Sequence, residues 1–198
     1  MDILLALILG VGLSAAAGFR VFVPLLGMSI AAQAGHLELA AGFGWLSTPT
    51  VTIALGIATA LEIAAYFIPW LDNALDTVTT PAAVVAGTVM TASLLGDMSP
   101  LLRWGLAVIA GGGVAGTVQG ATVVARGTST VATAGLANPL VALAELAASG
   151  VTTVLALAVP LIALVFVASF LIVLGARRRS QRAGGAKEAG NPGRGSSA

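Results

Sequence analysis

The stretch PTVTIALGIATALEIAAYFIPW, residues 49–70, carries a single charged side chain, Glu62, in an otherwise apolar run. A helix needs about 20 such residues to cross the hydrocarbon core of a bilayer. At about 1.5 Å per residue, Glu62 lies roughly 20 Å from the start of the run at Pro49. A lone carboxylate at that depth costs about 2.5–3.5 kcal/mol on insertion scales. It must face a bundle interior, pair with a cation, or take up a proton. This one stretch therefore argues for a helical membrane protein with a polar feature inside it.

The rest of the chain agrees. Of its 198 residues, 58% are hydrophobic and 9% charged, against about 25% charged in an ordinary soluble domain. Mean hydropathy is +1.01. Such a composition, with apolar runs of this length, fits an all-α, polytopic transmembrane bundle. Cysteine is absent and His36 is the one histidine. Disulfides, thiolate chemistry and a histidine-built metal site or catalytic triad are excluded on that count.

Seven apolar segments can be marked: A (3–19), B (21–34), C (49–70), D (81–96), E (101–125), F (139–149) and G (151–175). C, E and G are long enough to span, A is marginal, D is short, and B and F are shorter still. Short segments interrupted by Pro or Gly point to broken or re-entrant helices. Pro24 and Pro139 lie near segment starts, where a missing N–H does least harm. Pro160 is expected to kink G. About six spans are expected, with F re-entrant, both termini in the cytoplasm and an acidic loop (71–80) outside; five spans with an external N-terminus is the rival. Residues 3–13 look like a signal-peptide core, but only Asp2 precedes them and no Lys or Arg, so a retained first helix is expected.

Small residues recur at helical spacing in A (Ala6, Gly10, Ser14, Gly18) and in E (Gly112, Gly116, Gly120). Such stripes let neighbouring backbones approach closely. The second stripe could bind a further copy or a membrane partner. Each stripe is followed by an arginine (Arg20, Arg126), a proline-led short segment and a long one. That order suggests two related halves, A-B-C and E-F-G, with D as connector.

Charge separates along the chain. From residue 176 onward six basic residues face Glu188, a net +5; residues 1–175 hold three arginines against seven acids, a net −4. The positive-inside rule puts this polar, Gly- and Ala-rich tail (176–198) in the cytoplasm, where its composition is that of a disordered segment. The transmembrane domain is then 1–175. Nothing in the charge pattern points to nucleic acid.

Within the apolar runs the candidate transport or ion-binding residues are Glu62, Glu145 and Arg20. Gln119 and Asn138 are secondary: the first can hydrogen-bond across helices, and the second closes the Thr- and Ser-rich stretch RGTSTVATAGLAN (126–138), whose hydroxyls and amides could contact an anion. Asp72 and Asp76 could coordinate a hard cation, although a solvated acidic loop is the simpler reading. No P-loop, GxSxG, HExxH or paired-cysteine motif occurs. No cofactor or metal is expected, and no enzyme, since no nucleophile has a partner base.

Several stretches together resemble a known family: GFRVFVP (18–24), Glu62 with Pro69, Asp72, Asp76 and Thr80-Pro81, then Ser129-Thr130, GLANP (135–139) and Glu145. The pattern is similar to that of the bacterial multi-pass membrane family catalogued as domain of unknown function 4126, over roughly residues 1–175. The resemblance implies a small polytopic protein of the bacterial inner membrane and brings no established activity. Members often carry an acid four residues after the position of Glu62 and another directly after that of Glu145. Tyr66 and Leu146 stand there in this chain, so the resemblance argues against a shared multi-carboxylate cation site. The function expected is a small transporter or channel for an ion or small solute. The alternatives are a non-catalytic assembly subunit and a lipid-handling protein.

Overall fold

The computed structural model describes residues 2–65, 69–96, 98–160, 162, 165, 167–173 and 176. Every regular element among them is helical: α1 (Ile3–Phe19), α2 (Phe22–Gln33), α3 (Pro49–Ala65), α4 (Pro69–Leu94), α5 (Pro100–Leu106), α6 (Gly113–Thr133) and α7 (Asn138–Ala158), with a 3-10 turn at Gly44–Ser47 and a π-helical stretch at Ala107–Gly112. The described residues between 160 and 176 are helical as well.

α1 coincides with segment A. The Asp2 carboxylate accepts the Leu4 N–H at 3.0 Å and caps its start, satisfying a donor that has no partner within the helix. At the other end Arg20 turns extended (φ −147°, ψ 126°) and breaks the helix, so α2 begins anew and doubles back. Leu5 and Leu9 of α1 share a cavity of about 520 Å³ with Ala31 and His36, near the end of α2, and with Leu157 and Ala158, at the end of α7. α2 and α7 therefore both run antiparallel to α1. α4 does too, since Gly10 faces Thr91 while Ser14 bonds Gly87. After α7 the chain reverses once more: Phe170 stacks edge-on against Phe19, with ring centroids 5.5 Å apart. Among the described residues the bundle thus has seven alternating helical runs, with its two ends on opposite faces.

Three segment boundaries differ from the expectations above. The acidic stretch 71–80 is no loop but the first half of α4, which passes through Pro81 and runs for 26 residues. The Thr- and Ser-rich stretch is helical as far as Thr133, making one continuous run of 34 residues from Pro100. Three of its threonine hydroxyls bond within the helix: Thr128, Thr130 and Thr133 donate to the carbonyls of Val124, Arg126 and Ser129, which removes their competition with the backbone. F is not a separate re-entrant piece either, because α7 carries F through Gly150 into G over 21 residues. Pro160 ends this helix rather than kinking it, with Val159 extended at φ −144°. With B a separate helix and F fused to G, the segment-by-segment match of the two proposed halves is lost.

The small-residue stripe of α1 is the packing axis. Ser14 Oγ donates to Gly87 O at 3.0 Å and lies 3.0 Å from Thr91 Oγ1. A methyl group on Gly18 would come within 2.5 Å of Val118 Cβ and 2.7 Å of the Ala115 carbonyl. The second stripe is partly used in the same way. Gly112 and Gly116 meet Val84 and Thr88 of α4, whereas Gly120 faces open space. Overpacking of this kind costs about 1–3 kcal/mol. We expect Gly18→Leu to lower the thermal midpoint of the detergent-solubilised protein by several degrees and Gly120→Ala to leave it unchanged, measured side by side.

Candidate functional site

The site forms where α1 ends. Arg20 donates its N–H to the Ala16 carbonyl and turns a side chain only 1% exposed into the bundle. Its guanidinium reaches α7, giving hydrogen bonds of 3.0 Å to the Ala142 carbonyl and 2.9 Å to Glu145 Oε2. From α6, Arg126 approaches the same carboxylate. Its Nε lies 3.0 Å from each Glu145 oxygen, and its terminal nitrogen closes a further ion pair with Oε2. One buried carboxylate thus bridges two buried guanidiniums from different parts of the chain. Ser149, one turn along α7, donates to the Ala16 carbonyl at 3.0 Å and fixes α7 against the end of α1.

Glu62 arrives from α3. Its oxygens accept the Val21 N–H at 3.0 Å and the Phe22 N–H at 3.3 Å. These are orphan donors at the start of α2, where the helix dipole favours negative charge. α2 has no side-chain cap of its own; a carboxylate some forty residues away supplies it. Among the described residues, two guanidiniums and two carboxylates are thus buried in this part of the bundle.

The structure brings Arg20, Glu62 and Glu145 together, and adds Arg126, which had served in the sequence only as a landmark after segment E. Its signal was there at helical spacing: Gln119 and Arg126 are seven residues apart on one buried face of α6. Gln119 itself points to α4 and donates to Thr79 Oγ1 at 3.3 Å. Asn138 stands at the start of α7 and bonds Thr130 Oγ1 at 2.9 Å across the 134–137 turn, about 10 Å along the helix from Glu145. Asp72 and Asp76 lie in α4 rather than in a loop, and their side chains fall outside the described residues, as does the tail from 177. Among the described residues no three His, Asp or Glu side chains converge as a metal site would require.

These features define a class: an all-helical bundle with two helices long and apolar enough to cross a membrane, built around a buried cluster of charged side chains. The chain belongs to the family described as Domain of unknown function (DUF4126), which it matches over residues 7–179. No curated protein and no solved structure matches it.

Removing one partner of a buried ion pair costs about 3–5 kcal/mol, because the other charge is left uncompensated. Glu145→Ala removes the carboxylate that both guanidiniums engage. We expect it to be the most destabilising single change in the cluster, exceeding Arg126→Ala in loss of thermal midpoint and of folded yield. Equal effects of the two would contradict the bridging role.

Proposed function

We propose that the protein is an integral membrane protein of the bacterial cytoplasmic membrane that moves a small solute or ion, with the Arg20–Arg126–Glu62–Glu145 cluster as its transport site. The observation that carries this reading is the meeting of four buried ionisable side chains, from α3, α6, α7 and the α1–α2 junction, inside an apolar bundle. Charge at that depth is expensive, and it marks solute or proton paths more often than it serves packing.

The membrane part rests on which surfaces face outward. Leu101, Ile109, Val131 and Leu136 are at least 76% exposed, while Ser14, Thr91, Ser149 and Thr152 are fully buried. Even exposed Thr117 and Thr128 return their hydroxyls to the carbonyl one turn back, as suits a surrounding that offers no water. Trp45 and Trp104 are about half exposed and belong to the end of the bundle where α1 starts, at one edge of an aromatic belt. In this reading the basic tail lies in the cytoplasm, and seven alternating runs put the N-terminus outside. The cluster then sits about 10 Å inside the cytoplasmic end marked by the 134–137 turn and about 25 Å from the other end. Among the described residues no nucleophile–base pair enters the cluster, and transport is preferred to catalysis on that ground.

The test is thermal unfolding of the purified protein against ions, small metabolites and lipid headgroups, for wild type and Glu62→Gln together. A ligand at 100 times its dissociation constant stabilises the native state by about 2.7 kcal/mol. We expect one solute class to raise the wild-type midpoint and to lose that effect in Glu62→Gln. No shift across the panel, with the variant merely less stable, would turn the cluster into a structural clasp and favour the assembly-subunit reading.

A further inference from the structure

α3 is attached to the bundle unevenly. Of its residues only Glu62 and Ala65 are buried, and Ile53, Ile57 and Leu61 face outward. It packs chiefly on α2 and on the Gly44–Ser47 turn and barely meets α4. Its first turns are pinned by a web of neutral groups. Ser29 Oγ donates to the Leu46 carbonyl at 2.5 Å and lies 2.6 Å from Thr52 Oγ1, which also takes a hydrogen bond from Gln33 Nε2. Among the described residues, the polar contacts that tie its far end to another element are those of Glu62, on the Val21 and Phe22 N–H groups.

Thr52 and Glu62 are ten residues apart, a lever of about 15 Å. The pivot end is held by hydroxyls and an amide, whose bonds no change of charge dissolves. The free end is held by a carboxylate on a helix start, an attachment strong only while the carboxylate is ionised. Behind that end lie Val21 and Arg20, 3% and 1% exposed, and then Arg126 and Glu145. Those three are the charged groups that face Glu62 from the α1–α2 junction, α6 and α7. α2 and the Gly44–Ser47 turn contribute no titratable side chain, and the side chains of Asp72 and Asp76 on α4 are outside the described residues.

We propose that α3 is a gate over the charged cluster, pivoting about Thr52 and latched shut by the Glu62 carboxylate, so that neutralising Glu62 frees its far end and opens the cluster to the outside of the bundle. The gate deepens the transport reading and names the moving part of that site.

The absence of cysteine from the chain makes the motion measurable. A single cysteine at Ala65, 5% exposed at the free end of α3, reports opening; one at Ala92, fully buried in α4, reports general loosening. Maleimide labelling of the full-length protein in detergent is compared with Glu62 intact and as Glu62→Gln. Labelling of a transiently open site follows the open population, and weakening one charge-assisted hydrogen bond shifts that population about ten-fold. We expect labelling at position 65 to rise about ten-fold in Glu62→Gln, with position 92 unchanged. No rise at 65, or an equal rise at both, overturns the gate. If Glu62→Gln does not fold, Glu62→Asp decides: its carboxylate is too short to reach both N–H groups, and a selective rise at 65 is again expected, while none refutes the gate. The labelling reads motion alone. It can succeed where the ligand scan finds nothing, and fail where a ligand binds.

Discussion

Glu145 is the group on which the rest of the architecture turns. Arg20 breaks α1, and a guanidinium buried at a helix break has no place in an apolar interior without an anion. Glu145 supplies that anion and, through its second engagement, holds Arg126 of α6. One carboxylate therefore sets where α1 stops, how far α7 slides along it and which face α6 presents. The reversal into α2 follows, since the extended Arg20 backbone points the Val21 and Phe22 N–H groups at Glu62. Had Glu145 been apolar, both guanidiniums would have lost the carboxylate that ties α7 to the end of α1 and to α6.

Polarity inside and apolarity outside are solved by different residues at different radii. Between helices the chain uses Gly, Ala, Ser and Thr, which allow close approach and hydrogen bonds such as those of Ser14 and Ser149. On the outer faces it uses Leu, Ile and Val. In the membrane proposed for this bundle the surroundings are as apolar as the side chains, so packing and polar contacts rather than the hydrophobic effect would carry the assembly. Gly87 and Gly111 show the limit of this strategy. A methyl group on Gly111 would collide with the Gly87 carbonyl, and the π-helical stretch lies at this crossing, where α5 passes into α6.

The sequence made the helical class legible, along with the exact bounds of α1 and three of the four charged residues, because each rests on a strong local signal: an unbroken apolar run, or a charge where charge is costly. It was less legible wherever a local breaker is overruled by packing. Pro81 reads as a start, yet α4 runs through it. Gly150 reads as a boundary, but α7 continues. The Thr- and Ser-rich stretch lies between the marked segments E and F, but the hydroxyls of Thr128, Thr130 and Thr133 fold back on the helix. Arg126 stayed hidden for a related reason. At the end of an apolar run an arginine looks like an interfacial anchor, and only the continuation of α6 past it places it inside. The topology depended on that same continuation, since one fused helix changes which face every later segment reaches.

The two carboxylates also differ in how replaceable they are. Glu145 is engaged by two guanidiniums at once, so removing its charge takes one ion-pair partner from each. Glu62 binds backbone N–H groups that belong to a helix start, donors that a water molecule or another anion could satisfy equally well. Losing Glu62 leaves those donors open, beside the buried side chain of Arg20. The same cluster thus has one half that ties α1, α6 and α7 together and an exchangeable half mounted on α3, of whose residues only Glu62 and Ala65 are buried. A purely structural clasp would have no need to place its weaker bond on so sparsely buried a helix.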